Sequence, residues 1–323
     1  MDNAELSVMR ARVRNHVIPT DRDDLVRSHI REMLENVEDI RNGGGSRKRS
    51  LFLMGNSGCG KSFTLRNLLG EFDTLRESQD EFGRSRTPLV SVEAPNPCGM
   101  VELCNAVLSE LGLPENYSMR PPFATSLLKR ILSEHGVIFL HIDEAQHLLR
   151  HPTAREAKRI AEQLKSLVQT KDWPLHTIYS GVPELAKLLE AQDRQVNNRS
   201  YIRRMSPLTM PGELGVVREI LEKVSIELCD LRLHNEIVSE DFLGRICHAS
   251  VREFGTIIET VQEASFMAVK NSHQVLEVRH FARYFERHTG CLEKDNVFTT
   301  KDWMTVDLTK LLSDMTIQGG ARR

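Results

Sequence analysis

Four short apolar runs punctuate the chain, each followed by a stretch in which apolar residues return every three or four positions. The runs are LFLM (51–54), PLVSVEA (88–94), VIFLHIDE (137–144) and LHTIYS (175–180). LFLM, and VIFLHIDE apart from His141, are unbroken in apolar character and predict buried strands, and the other two runs also read as strands. Helices are predicted over 62–72, 99–111, 123–135 and 153–171, and another opens at Pro183, a favoured first-turn position. Ahead of the first run, residues 22–41 place Leu25, Ile30, Leu34, Val37 and Ile40 near helical spacing behind an acidic start. MSPLTM (205–210) is the expected fifth strand. Strands alternating with helices predict an α/β core, a parallel sheet covered on both faces.

After Gly212 the pattern changes. Residues 213–230, 239–249, 252–270 and 278–288 all read as helix, and no strand is needed. The chain then divides into an N-terminal extension (1–45), an αβα core (46–211), a small all-helical domain (212–290) and a tail (291–323). The tail ends in GGARR and reads as a mobile or partner-docking segment. RNGGGSRKRS (41–50) reads as a flexible basic connection, and the polar stretch 76–87 as an exposed loop.

Composition narrows the function classes. Of 323 residues, 40% are apolar, enough for a packed core and too many for a disordered chain. The 43 Lys+Arg against 45 Asp+Glu leave a net charge of -2, which gives no global bias toward nucleic acid or anionic membrane. Aromatics are only 6%, which argues against a base-stacking binder. No run approaches the roughly 18–20 apolar residues that cross a bilayer. The opening MDNAELSVMRARVRNH lacks the apolar centre of a secretion leader, so a cytoplasmic location is expected. Six scattered cysteines with no C-x-x-C pair argue against a zinc site or a disulfide framework.

The chemistry concentrates at the ends of the strands. Gly55, Asn56, Ser57, Gly58, Cys59, Gly60, Lys61 and Ser62 fit G-x-x-x-x-G-K-[ST] at every fixed position, between an apolar strand and a helix that continues through Phe63. The glycines let the loop turn its N–H groups inward around phosphates, and the next helix aims its N-terminus at the same anion. Lys61 supplies a point charge, and the Ser62 hydroxyl can ligate Mg²⁺. ATP and Mg²⁺ are therefore the expected cofactors. The third strand carries Asp143 to the carboxyl edge, where it would hold the metal, with Glu144 placed to polarise the attacking water. His141 is expected to pack within the sheet. Ser180, ending the fourth strand, is a candidate to sense the γ-phosphate or orient the water; a simple strand-to-helix turn is the alternative.

These residues together resemble the AAA+ ATPases, and more narrowly the TniB/TnsC family of DNA transposition regulators. The carrying features are GNSGCGKS, VIFLHIDEAQHL, YSGVPEL, RQVNNRS, SVREFGTIIETVQEAS and the region APNPCGMVELCNAVLSELGLP, in the same order through about residues 15–290. The resemblance implies an AAA+ core followed by a helical lid. It also implies an ATPase that assembles with itself as a ring or filament on double-stranded DNA. Such an assembly recruits or activates a transposase with a target-selector protein, and ATP hydrolysis takes it apart. It implies that Arg199 acts as an arginine finger on a neighbouring subunit's nucleotide, with Arg203 and Arg204 as rivals. Val17, Ile18 and Pro19 match the segment that packs against adenine. Arg252 lies near the place of a second sensor arginine, although Gly255 is the other occupant of that position. Val182 stands where some relatives have threonine.

By the same resemblance, the DNA-facing surface carries Asn96–Met100 and Ser118–Arg120, so Asn96, Met100 and Arg120 are candidate contacts, with Lys129 and Arg130 beside them. Such contacts grip the backbone, not the bases. Assembly reconciles them with a near-neutral chain, because a few contacts per subunit add up. The basic residues of 150–171 are interleaved with Glu156 and Glu162 and read as a solvated helix face. Two other functions share these motifs: a replication initiator or helicase loader, and a nucleotide-switch signalling ATPase.

Overall fold

The computed structural model describes residues 3–149, 153–170, 173–191 and 199–308. In chain order, α1 (Asn3–Arg14) and α2 (Asp21–Arg41) precede β1 (Ser50–Gly55) and α3 (Lys61–Gly70). A two-residue hairpin, β2 (Ser78–Gln79) with β3 (Ser85–Arg86), leads to β4 (Leu89–Glu93), α4 (Met100–Glu110) and α5 (Pro121–Glu134). Then come β5 (Phe139–Asp143), α6 (Ala154–Val168), β6 (His176–Gly181), α7 (Ala186–Ala191) and β7 (Ser200–Met205). The helical region follows: α8 (Leu214–Glu222) running into a π-helical turn, β8 (Arg232–Leu233), α9 (Glu240–Ala249), α10 (Phe254–Lys270), β9 (Val275–Leu276) and α11 (Val278–Thr289).

The chain forms two compact units. One comprises Pro19–Ser57 and Lys61–Met205; the other comprises Met1–Ile18, Gly58–Gly60 and Ser206–Arg323. The division differs from the one read off the sequence: the stretch 1–45 is shared between the units, with α1 in the helical unit and α2 in the sheet unit. No apolar run marks α1, but Leu6, Met9 and Val13 recur at helical spacing and are buried in the helical core.

In the sheet unit five parallel strands lie in the order β4-β5-β6-β1-β7. Alternation along each strand sorts the faces. Phe52, Met54, Val90, Val92, Leu140, Ile142 and Tyr179 point to one side, into a core closed by α4, α5, α6 and α7. The intervening residues face α2 and α3. There Asn36 of α2 donates to Nε2 of the buried His176 at 2.9 Å, while His176 Nδ1 donates to the Pro174 carbonyl at 3.0 Å. That pair fixes α2 over the start of β6. Burial pushes His176 down to about 4, so the ring is neutral and Nε2 accepts.

Two expected features change. The fifth strand is Ser200–Met205, not 205–210: SYIRRM is buried at its two ends and alternates half-buried and exposed positions between them, as an edge strand does, whereas Pro207 has no N–H to give a ladder. The helical unit is not free of strand, since β8 and β9 pair in parallel. The stretch 76–87 includes the small hairpin. Of the tail, residues 309–323 lie outside the described residues, as do Arg150 and Lys171. All six cysteines are buried thiols, none of them in a disulfide. Among the described residues no helix is long and apolar enough to cross a membrane.

Candidate nucleotide site

The site is built where β1, β5 and β6 end. β1 stops at Gly55, and the chain turns through a loop whose glycines do what a side-chain-bearing residue resists: Gly58 and Gly60 sit at φ +81° and +99°. α3 begins at Lys61 directly after, so its unpaired N–H groups open toward the loop. Lys61 is only 6% exposed, and its ammonium donates to the carbonyls of Gly55 at 2.8 Å and Asn56 at 3.0 Å. The charge is thus held inside the turn. Cys59 is buried, and Phe63 is partly exposed on the first turn of α3.

The metal-side groups converge. The Ser62 hydroxyl donates to Asp143 Oδ2 at 2.5 Å, while Oδ1 accepts from the Ser180 hydroxyl at 2.6 Å and from the Glu144 N–H at 2.9 Å. Burial pushes the Asp143 carboxyl up, but these three donors and the nearby His141 outweigh it, and the net shift is downward, so the group is ionised. A hydroxyl and a carboxylate at hydrogen-bond distance form a hard oxygen pair suited to Mg²⁺, which keeps waters and phosphate oxygens for its other positions. The residues present therefore fit Mg²⁺ with a nucleotide. Among the described residues no group of three His, Cys, Asp or Glu side chains could hold a metal ion.

Glu144 occupies the left-handed region at φ +50°, uncommon for a residue with a side chain. Its carboxylate accepts from Gln146 Nε2 at 2.5 Å, and Gln146 Oε1 accepts from the Val182 N–H at 3.2 Å. Gln146 is buried and ties Glu144 to the turn after β6. Sequence reasoning missed it; the only signal is its place two residues after Glu144 in DEAQ.

Several expectations change. Ser180 is 0% exposed and its hydroxyl proton is committed to Asp143, so it faces the carboxylate and not a phosphate. His141 does pack in the sheet, but with both ring nitrogens engaged by serines. Met100 is 2% exposed and belongs to the core, so its side chain is withdrawn from any DNA-facing surface. Asn96 and Arg120 are exposed, Lys129 is half-buried with its ammonium lowered by that burial, and Arg130 lies 3.8 Å from Glu134.

Arg199 stands at the opposite end of the sheet. It precedes β7, whose Ser200 pairs with Ser50 and whose Met205 pairs with Gly55. Six strand residues separate it from the loop, roughly 20 Å at the usual rise, too far for an arginine to reach its own nucleotide. Arg203 and Arg204 lie within β7. Gln195–Asn198 lie outside the described residues. Within the helical unit, Arg252 is exposed in the turn before α10 at φ +63°. Gly255 sits closer to the loop's tip: an added Cβ would meet the Gly58 carbonyl at 2.5 Å. That position therefore has no room for a sensor side chain. Val17 is exposed, Ile18 packs on the helical core, and Pro19 opens the sheet unit.

A strand, a phosphate loop, a helix and an acidic strand end on a parallel sheet define a P-loop nucleotide-binding protein. More closely, residues 40–189 match the family model described as an AAA domain (AAA_22). No curated protein matches the sequence. Solved structures with the same fold include Cdc6p from Pyrobaculum aerophilum, at 15% identity and TM-score 0.54, covering 91% of this chain and 86% of that one. The Aeropyrum pernix ORC2 protein, solved in ADPNP-ADP complexes, is 13% identical with TM-score 0.57, covering 95% and 79%. A Walker-type ATPase of Pyrococcus abyssi is 16% identical with TM-score 0.51, covering 86% and 76%. These likenesses show the fold alone, a parallel αβα core followed by a helical region. They reach the domain and its fold, not the transposition branch.

Proposed function

We propose that the protein is a Mg²⁺-dependent ATPase whose nucleotide state governs its assembly on double-stranded DNA during transposition. The observation that carries the ATPase part is the convergence of Lys61, Ser62 and Asp143 at the end of β1 and β5, with Glu144 beside them. Bound Mg²⁺–ATP supplies an activated γ-phosphoryl group and a metal to neutralise its charge. The chain supplies the rest. Loop N–H groups and Lys61 bind phosphate oxygens, Ser62 and Asp143 hold the metal side, and Glu144 orients and deprotonates water, held ready by Gln146. Arg199, unable to serve its own loop, serves a neighbour's. Val17, Ile18 and Pro19 are proposed to pack against adenine.

The DNA part rests on the resemblance quoted above and on the exposed Asn96 and Arg120. A replication-initiator role is the second reading, favoured by the likeness to Cdc6p and ORC2 structures. The test is duplex DNA binding with a slowly hydrolysed ATP analogue against ADP, followed by imaging of the complexes. Analogue-dependent coating of DNA without sequence preference, abolished by Lys61→Ala, supports the first reading. Sequence-specific binding by single copies supports the second. Binding indifferent to nucleotide overturns the coupling in both.

A further inference from the structure

On the α3 side of the sheet, side chains from three adjacent strands form one continuous hydrogen-bonded line that the chemistry above does not use. The register pairs Ser91 of β4 with His141 of β5, and pairs His141 with Ile178 of β6, two residues before Ser180. Ser91 Oγ lies 2.7 Å from His141 Nδ1, His141 Nε2 lies 2.8 Å from Ser180 Oγ, and Ser180 Oγ lies 2.6 Å from Asp143 Oδ1. Ser91 is exposed; His141 and Ser180 are buried.

The last member fixes the direction of the whole line. An ionised carboxylate only accepts, so Ser180 gives its single proton to Asp143. Its oxygen must then accept from His141, which places the imidazole proton on Nε2. Nδ1 is left to accept from Ser91. One neutral tautomer satisfies every contact, and every donor points toward Asp143. Bonds aligned in this way polarise one another, and buried partners of a metal ligand set its orientation.

We propose that His141 is a positioning residue for the metal-side carboxylate: through Ser180 it holds Oδ1 of Asp143, leaving Oδ2 turned to Ser62, and so sets the affinity for the divalent cation that accompanies the nucleotide. This rests on the reading of Ser62 and Asp143 as the metal-side pair. Ser180 thereby acts on the carboxylate and not on the γ-phosphate.

The test uses the full chain and a fluorescent ATP analogue, titrated in EDTA and across Mg²⁺ concentrations. His141→Leu removes the donor, and His141→Gln keeps an N–H able to reach Ser180. The expected result is that H141L leaves Mg²⁺-free affinity unchanged and raises the Mg²⁺ concentration needed for tight binding about ten- to a hundredfold. H141Q restores most of the loss. Ser180→Ala reproduces it, and the H141L/S180A double variant adds nothing further. An unchanged Mg²⁺ requirement in H141L, an H141Q that behaves as H141L, or an equal loss with and without Mg²⁺ overturns the proposal. A wild-type protein whose analogue binding ignores Mg²⁺ overturns the underlying metal-side reading along with it. Nitrogen NMR of wild-type His141 is a check that needs no variant: a proton on Nε2 supports the line, and a proton on Nδ1 overturns it.

Discussion

Gly255→Ala adds a single methyl group and tests how tightly the start of α10 bears on the tip of the phosphate loop. The new Cβ would stand 2.5 Å from the Gly58 carbonyl oxygen and 3.2 Å from the Gly60 nitrogen, both backbone atoms that cannot rotate away. Ordinary contact begins near 3.4 Å, so one backbone must retreat by about 0.9 Å. The Thr256 N–H to Gly58 carbonyl bond, 3.0 Å here, would stretch with it. Overpacking of this kind costs about 1–3 kcal/mol. A displacement near 1 Å at a phosphate-binding backbone lowers rates or affinity by up to about a hundredfold. The assay pairs thermal unfolding with titration of a fluorescent ATP analogue. The expected result is a lower melting temperature together with nucleotide affinity reduced by about tenfold or more. Gly255→Arg, which would restore a sensor side chain, should be worse and not better. Unchanged affinity and melting in Gly255→Ala would refute the close approach.

Glu144→Gln should bind the ATP analogue normally and lose about 10²–10⁴ of its hydrolysis rate, as removal of a general base does, measured by phosphate release. Arg199→Ala should hydrolyse poorly alone, and mixing it with Glu144→Gln should recover activity, because each variant supplies what the other's interface lacks; absence of recovery would mean that Arg199 does not act across subunits. His176 titrates below its usual 6.5, at about 4, because burial disfavours the charged ring. The unfolded chain then takes up the proton first, so the stability His176 contributes is complete above pH 6.5 and is lost as pH falls toward 4. Urea unfolding across that window should show the slope, and His176→Gln should flatten it.

The strands were legible where apolar residues run together, as in LFLM and VIFL, and the loop because its chemistry tolerates few substitutions. Asp143 and Glu144 stand out in the sequence because an apolar strand ending in Asp-Glu is paired with a phosphate loop; the strand end alone reads equally well as an acidic helix cap. β7 was misplaced because an edge strand needs only alternate apolar positions, and SYIRRM carries two arginines. α1 was invisible because three apolar residues in an arginine-rich stretch have no partner until α10 is beside them, where Gln262 Nε2 donates to the Val13 carbonyl at 3.2 Å. For Ser180 the sequence marks a strand end but not the partner, the Asp143 carboxylate: which atom a hydroxyl faces depends on register between strands some forty residues apart. Ser91 was missed for the same reason, and Gln146 because DEAQ does not reveal that its amide bridges Glu144 to the turn after β6. Their roles lie in pairings that no local pattern records.

The six buried thiols have a practical consequence. Burial raises the Cys98 thiol to about 12 and those of Cys104, Cys229 and Cys247 to about 11, and Cys291 also moves up, so these groups are protonated and shielded at neutral pH. An alkylating reagent can reach them only when the surrounding structure opens. Cys59 reports on the phosphate loop, Cys98 and Cys104 on the layer around α4, and Cys229, Cys247 and Cys291 on the helical unit. The wild-type chain thus carries its own set of clocks, and the labelling rate at each cysteine, with nucleotide and without, times how often that region breathes.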